Sequence, residues 1–137
     1  MSNEVMMFAL FYPEYQVTDE TIEDGKIVVK MNSLKTADNC PVCGVESVTL
    51  HEDSIRTIQE APCWNTGVWI RAKIHTFKCQ NPDCHVDVFN EKLSFAGQNK
   101  TYTYRLEKLL QDFRTKYGNE KAKYVLAVMG ADLSDFS

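Results

Sequence analysis

The sequence predicts an α+β protein, with a small antiparallel β domain over residues 1–97 and a C-terminal helical segment over residues 98–137. Two observations lead to this fold class. Apolar residues alternate with period two in the first part of the chain, and their spacing becomes helical near residue 100. The chain has 137 residues, of which 44 % are apolar and 25 % charged, as expected for a folded globular protein.

An N-terminal β-hairpin is predicted from the extended runs Tyr15–Ile22 and Lys26–Leu34, which flank Glu23-Asp24-Gly25. Asp-Gly between extended runs is typical of a tight hairpin turn. Ser47–His51 is a candidate third strand, and Val68–Lys78 is the longest candidate because its residues alternate in polarity. The apolar members are Val68, Ile70, Ala72 and Ile74, and they alternate with Trp69, Arg71, Lys73 and His75.

Three helices are predicted. The apolar run Val5–Tyr12 is interpreted as a short buried helix that ends at Pro13. A longer helix is expected to be capped by Thr101 and to end at Gly118, and a second follows from about Glu120 to Met129. The apolar face of the longer helix holds Tyr102, Leu106, Leu109, Leu110, Phe113 and Tyr117.

Two cysteine pairs carry the strongest chemical signal. The first has two residues between its members, includes Pro41 and is followed by Gly44, and the second has four residues between its members. Both gaps fit tetrahedral zinc sites, and four thiolates leave no position open for catalysis. We therefore expect one structural zinc ion and a zinc-ribbon-like fold, the alternative being four reduced core cysteines. The predicted ligands are Cys40, Cys43, Cys79 and Cys84.

The other candidate ligands receive different interpretations. Cys63 stands alone between Pro62 and Trp64 and is expected to be a buried, inert thiol, with a ligand or nucleophile as the alternative. Each histidine offers a substitute ligand, but all three are expected at the surface or beside the site. These histidines are His51, His75 and His85.

These residues together resemble the N-terminal zinc-binding region of insertion-sequence transposases of the ISL-three family. The hairpin around Glu23-Asp24-Gly25 and the start of the helical segment, which is similar to the beginning of a helix-turn-helix, extend the resemblance over nearly the whole chain. The motifs that carry it are Cys40-Pro41-Val42-Cys43-Gly44, Arg56-Thr57-Ile58, Ala61-Pro62, Phe77-Lys78-Cys79-Gln80-Asn81-Pro82-Asp83-Cys84 and Val88-Phe89-Asn90-Glu91.

The resemblance implies binding to double-stranded DNA at the inverted repeats of a mobile element. In the family, a catalytic domain of the Asp-Asp-Glu type follows and transfers phosphoryl groups. The 40 or so residues after the zinc region are too few for such a domain, so this chain is expected not to be an enzyme by itself. The helix-turn-helix is expected to be incomplete, because a second, DNA-reading helix would begin only near Ser134.

Charge is distributed unevenly, with −4 over residues 1–39, −2 over residues 40–97 and +2 over residues 98–137. The basic helical segment and one strand face are therefore the candidate DNA-binding surfaces, and the alternative for the helical segment is an ordinary solvated helix face. Trp69 and Phe77 are candidate contacts on that strand face, with packing inside the protein as the alternative. The basic candidates are Arg71, Lys73, His75, Lys100, Arg105, Lys108, Arg114, Lys116, Lys121 and Lys123.

The acidic remainder of the chain supports a second hypothesis, a stand-alone zinc protein that acts through protein–protein contacts as a regulator or inhibitor. Its partner would be a second copy of the chain or a full-length transposase. The sequence shows no apolar run long enough to span a bilayer and no export signal. We therefore expect a cytoplasmic protein without a membrane partner.

Overall fold

The computed structural model describes residues 7–134 and residue 136. It is an α+β fold in which seven strands precede two α-helices, and a 3-10 helix, Met7–Phe11, comes first. The strands are β1 (Tyr15–Glu23), β2 (Lys26–Ser33), β3 (Asp38–Asn39), β4 (Glu46–Ser47), β5 (Leu50–Cys63), β6 (Thr66–Lys78) and β7 (Val88–Asn90). The helices are α1 (Tyr104–Tyr117) and α2 (Asn119–Val128).

The main sheet is mixed, so the predicted all-antiparallel arrangement is wrong. Its strands lie in the order β1-β2-β6-β5, with β7 pairing beside the end of β6, while β3 and β4 form a separate two-stranded sheet. β2 and β6 are parallel, with Ile27 opposite Val68 and Asn32 opposite Lys73. A parallel pair needs a crossover connection, and the chain through β3, β4 and the long β5 supplies it.

The N-terminal hairpin is confirmed. β1 and β2 pair antiparallel from Tyr15 opposite Ser33 to Glu23 opposite Lys26. The turn uses Asp24 and Gly25, whose φ angles are 52° and 76°, so both residues adopt the left-handed conformation expected of a tight Asp-Gly hairpin turn.

The third strand was predicted wrongly. Ser47 ends the two-residue β4, and a new strand, β5, begins at Leu50. The Ser47 hydroxyl donates a hydrogen bond to the Lys78 carbonyl at 2.5 Å and accepts one from the Thr49 N–H. This fully buried hydroxyl separates the two strands and fixes the small sheet against the end of β6.

The predicted alternation in β6 is confirmed and defines the core. Val68, Ile70, Ala72 and Ile74 are fully buried on one face of the sheet. Burial of these side chains removes apolar surface from water, the main favourable term in folding. The 3-10 helix and the segment after β7 cover this face, and the other core members are Phe8, Tyr12, Tyr15, Val29, Met31, Ile58, Leu93 and Ala96.

The predicted N-terminal helix is observed as a 3-10 helix, and residues 5 and 6 lie outside the described part of the chain. The predicted start of α1 was wrong by two residues. Thr103, not Thr101, caps the helix, because its side chain accepts a hydrogen bond from the Leu106 N–H. Gly118 ends α1 as predicted, with a φ of 85°.

The helical pair has its own small core and also packs on the sheet. The Gln59 side chain donates to the Asp132 carbonyl at 2.7 Å and accepts from the Asp132 N–H at 2.6 Å. Gly67 and Gly130 meet so closely that a Cβ on Gly67 would lie 2.5 Å from the Gly130 carbonyl oxygen. The core of the pair holds Leu110, Ala122, Leu126 and Ala131.

Position 134, where the reading helix was expected to begin, is a turn, and residues 135 and 137 lie outside the described chain. Within the described residues, none of the helices has the length and apolar character needed to cross a membrane.

Candidate metal centre

The structure brings the two predicted cysteine pairs together. Cys40 follows β3 directly and Cys43 lies in the turn before β4, so the small sheet presents the first pair. Cys79 follows the last residue of β6, and Cys84 lies in the loop that returns to β7. The second pair is therefore fixed at one end of the main sheet, and the first pair folds onto it.

The first pair is shaped by a tight turn. The Cys40 N–H donates to the Val45 carbonyl at 3.0 Å, and the Gly44 N–H donates to the Cys40 carbonyl at 2.9 Å. Gly44 has a φ of 76°, which glycine adopts without steric cost. The turn aims the Val45 N–H at the Cys43 sulfur, and this hydrogen bond, the largest cause, lowers the pKa of Cys43 to about 7.

The second pair repeats this arrangement in a longer loop. The Cys79 N–H donates to the Asp87 carbonyl at 2.8 Å, and the Cys84 N–H donates to the Asn81 carbonyl at 3.1 Å. The sulfurs of Cys79 and Cys84 accept from the N–H groups of Asn81 and Val86. In both turns, then, a sulfur accepts from the amide two residues further on, and such bonds stabilise thiolates that bind metals.

The four sulfurs form one compact group, with all of them within 4.8 Å of one another. Cys40 Sγ lies 3.9 Å from Cys84 Sγ, and Cys43 Sγ lies 3.6 Å from Cys79 Sγ. These distances are too long for disulfides, whose sulfurs lie about 2.05 Å apart, and the cysteines are free. The group can hold one metal ion, as predicted.

The electrostatics of the group also call for a cation. The Asn81 N–H, the largest single cause, lowers the pKa of Cys79. Burial and the neighbouring thiols Cys43, Cys40 and Cys84 together outweigh it, and the pKa of Cys79 is raised to about 12. Four adjacent thiolates repel one another, so they do not ionise together without a positive charge between them. A bound divalent ion removes this obstacle, since metal binding releases the thiol protons.

An aromatic pair supports the site from below. The rings of Phe77 and Phe89 stack with their centroids 5.8 Å apart and pack with Cys40 and Val86. Phe77 is fully buried, so the packing alternative holds for it and it is not a DNA contact. The alternation along β6 suggested an outward side chain, but the metal-binding turns cover this end of the strand on that face.

Cys63 and the histidines take no part in the group of sulfurs found among the described residues. Cys63 is half-buried and packs against the sheet core, so the prediction of a buried thiol holds only in part. His51 and His85 are exposed, as expected of surface residues.

The predicted DNA contacts on the strand face are neutralised by acidic neighbours. Arg71 lies 3.4 Å from Glu23, and Lys73 lies 3.8 Å from Asp53. His75 Nδ1 lies 2.6 Å from the same Asp53 carboxylate. Arg71, Lys73 and His75 therefore each lie beside a carboxylate, which the spacing along a single strand could not reveal.

Two predicted contacts on α1 are also paired with acids. Arg105 lies 3.3 Å from the buried Glu60 carboxylate and 5.2 Å from the Phe11 ring. Lys108 forms an exposed pair with Asp112 at 3.2 Å, one turn along the helix. The Arg105 side chain is itself exposed, but its charge is paired with a buried carboxylate.

Other basic residues surround an exposed tyrosine where the two helices meet. Lys116 and Lys121 lie 5.3 Å and 5.6 Å from the Tyr117 ring. Arg114 Nε donates to Asn119 Oδ1 at 2.7 Å across the same junction. The structure thus brings part of the predicted basic surface together around Tyr117.

The last two predicted contacts lie apart from this junction. Lys100 precedes α1 and lies 5.8 Å from the Tyr102 ring, while the half-buried Lys123 lies on α2.

Sequence reasoning missed a buried polar network around Glu60, which is 3 % exposed. Its carboxylate accepts hydrogen bonds from the hydroxyls of Tyr12 and Thr103 and from the Ala61 N–H. Burial, and secondarily the Glu60 charge, raise the pKa of Tyr12 well above its ordinary value. The network joins the N-terminal segment, β5 and the start of α1, and no motif in the sequence marks it.

Comparisons of the chain with protein-family models, with curated proteins and with solved structures give no match. The resemblance to ISL-three transposases therefore stays a prediction.

Proposed function

We propose that this chain is a zinc-stabilised DNA-binding module, similar to the N-terminal region of ISL-three transposases, that recognises mobile-element ends and has no catalytic site of its own. The observation that carries the proposal is the group of four cysteine sulfurs. Its place in the sequence, between the hairpin and the helical segment, matches the order of motifs in that family.

Zinc fits the site in both its ligand type and its geometry. Zn–S bonds of about 2.3 Å in a tetrahedron require sulfurs about 3.8 Å apart. Two of the sulfur–sulfur distances, 3.6 Å and 3.9 Å, lie on either side of that distance, and all four sulfurs lie within 4.8 Å of one another. Soft thiolates favour zinc or iron over magnesium or calcium, and four of them leave no open position for a substrate. The zinc-ribbon-like character of the region also rests on this fit.

The basic junction around Tyr117 supports the DNA-binding part of the proposal. Lys116 and Lys121 have no carboxylate within ion-pair distance in the described part of the chain, unlike Arg71, Lys73 and Lys108. Unpaired lysines are free to contact phosphates, which supply salt-dependent affinity with little sequence preference. We expect duplex binding in the micromolar range or weaker at physiological salt.

The test combines elemental analysis with DNA titration. The purified chain should contain about one zinc ion per molecule, and labelled duplexes should show binding that weakens as salt increases. Substituting Lys116 and Lys121 with glutamine should reduce the slope of log K against log salt by about 0.9 for each lost phosphate contact. A folded sample without metal would contradict the zinc site, and absence of binding at low salt would contradict the DNA-binding function.

A second function is contact with another protein chain. It is favoured by the pairing of charges on the strand face that holds Arg71, Lys73 and His75. Arg71, Lys73 and His75 all face acidic partners, so this surface has little net charge for DNA. The expected partner is a second copy of the chain or a full-length transposase, and the expected role is regulation or inhibition. Light scattering of the purified chain over a range of concentrations tests self-association directly.

A further inference from the structure

A cleft of about 530 Å³ opens between the metal-binding turn and β5. Pro41, which lies between the first two cysteines, forms one end of the cleft. Residues 88–93 and 98–101 also line it, together with Arg56 and Thr57 of β5. A volume of this size accommodates a group as large as a nucleotide.

Three cationic side chains line the cleft, and they come from three different parts of the chain. Arg56 lies on β5, Lys92 follows β7, and Lys100 lies in the loop before α1. In the described part of the chain, no carboxylate lies within ion-pair distance of any of the three. Arg56 Nη2 donates to the Lys100 carbonyl at 2.6 Å, which fixes the guanidinium at the edge of the cleft.

The one acidic residue of the lining has other partners. Glu91 is 2 % exposed, and its carboxylate accepts from the Ser33 hydroxyl at 2.8 Å and from the His75 N–H at 2.7 Å. The cleft is therefore lined by three cationic side chains and by one carboxylate, which is buried and hydrogen-bonded. Charges of one sign in a concave site focus the field and raise the local concentration of an anion.

Neutral donors complete the lining. Asn90, Gln98 and Asn99 present side-chain amides, and all three residues are exposed. Asn99 has a φ of 62°, and the Lys100 N–H closes the turn by donating to the Gly97 carbonyl at 3.1 Å. Amide and cationic donors around a polar cavity are the groups that bind phosphate oxygens.

We propose that this cleft binds a phosphate group, and that its occupant is a backbone phosphate of the DNA bound by the proposed module. The inference rests on the proposed function and adds a second contact surface to it, separate from the junction around Tyr117. The cleft lies between the cysteine turn at Pro41 and β5, so a phosphate held there would position the sheet, as well as the helices, against the duplex.

The test compares three double variants of the full chain that each remove two positive charges. Lys92→Gln with Lys100→Gln changes the cleft, Lys116→Gln with Lys121→Gln changes the helix junction, and Lys30→Gln with Lys78→Gln is the matched control. The substitution at Lys100 changes its side chain and not its backbone, so the carbonyl of this residue still accepts the hydrogen bond from Arg56. Labelled duplex is titrated at several salt concentrations, and circular dichroism checks that every variant is folded.

The cleft variant should bind duplex about eightfold more weakly for each lost phosphate contact at 0.1 M salt, with a correspondingly smaller salt slope. The control should change much less. A cleft variant that binds duplex as well as the control does would overturn the cleft inference. If only the helix variant binds duplex more weakly, the proposed DNA-binding function is still supported.

If the unmodified chain binds no duplex, the proposed function fails and the cleft is tested alone. Inorganic phosphate and adenosine monophosphate are then titrated into the isotope-labelled chain and followed by NMR. Shifts of Arg56 and of the 97–101 amides, lost in the Lys92→Gln and Lys100→Gln variant, would support a phosphate site for a free ligand. Amides that do not shift at millimolar ligand would overturn the inference completely.

Discussion

The five-stranded sheet and the metal-binding unit are neighbours, yet they bury very different amounts of apolar surface. Along β6 the sheet buries Val68, Ile70 and Ile74 completely. The metal-binding unit, formed by residues 38–47 and 79–87, has exposed apolar side chains instead. Val42 is 57 % exposed and Val45 is 40 % exposed, although both flank cysteine ligands.

The difference shows which interaction keeps each region folded. Two strands of two residues each, β3 and β4, are too short to be stable alone. The buried apolar cluster of the unit consists of Cys40, Phe77 and Phe89, and the two aromatic residues belong to strands of the main sheet. The sheet is therefore expected to depend on hydrophobic burial and the unit on its metal ion.

The largest effect is expected from Cys79→Ser, which removes one ligand. Structural zinc contributes on the order of 10 kcal/mol to the folding of small zinc domains, so most of this stabilisation should be lost. Elemental analysis should find little metal, and hydrogen exchange should show fast amides in residues 38–47 and 79–87. The matched control is Cys63→Ser, which makes the same chemical change outside the group of sulfurs and should keep the metal.

A cysteine variant that keeps one metal ion per chain would show that the ligand set is wrong. Protected amides in the metal-binding unit after metal loss would show instead that hydrophobic burial holds both regions.

The reverse experiment is Ile70→Ala, at the centre of β6. Ile70 is fully buried, and removing such a side chain creates a cavity that costs about 2–5 kcal/mol. Urea denaturation should show this loss, while the metal content stays unchanged. Ile55→Ala is the control, since Ile55 is 68 % exposed and its truncation should cost less than about 0.5 kcal/mol. Loss of metal from folded Ile70→Ala would mean that the two regions are not separable.

Features that depend on local sequence were predictable, and the sheet and the metal-binding unit each contain such features. The Asp24-Gly25 turn, the alternation along β6 and the two cysteine pairs each involve residues close in the chain. The mixed sheet was missed because the parallel contact joins Ile27 to Val68, 41 residues apart, and no local pattern encodes that choice.

The surface charges were harder still to interpret from the sequence. Arg71 and Glu23 are 48 residues apart, and Arg105 and Glu60 are 45 apart, yet both are ion pairs in the fold. Positive residues counted along the chain therefore gave a list of candidate DNA contacts without showing which of them an acid neutralises. The cleft was also missed, because Arg56 and Lys92, which both line it, are far apart in the chain.

A smaller effect is expected where the helical pair crosses the sheet. A Cβ on Gly67 would lie 2.5 Å from the Gly130 carbonyl oxygen, and backbone atoms cannot move aside as a flexible side chain does. Gly67→Ala should cost about 1–3 kcal/mol, and it should increase hydrogen exchange in α2 more than in the metal-binding unit. Gly118→Ala is a contrasting variant, since its Cβ meets no atom within 4 Å and only its φ of 85° opposes the substitution.

Equal exchange changes in α2 and in the metal-binding unit would contradict the view that the crossing acts locally.

The smallest effect is expected from Cys63→Ala. The Cys63 side chain is half-buried, packs against the sheet core and lies at the end of β5 opposite Thr66. Removing one sulfur atom there leaves a small cavity open to solvent, so the loss of stability should be about 1 kcal/mol or less. The metal content should remain one ion per chain, because the four sulfurs that form the group are untouched. Urea denaturation with elemental analysis measures both quantities, and loss of metal would place Cys63 among the ligands and change the assignment of the site.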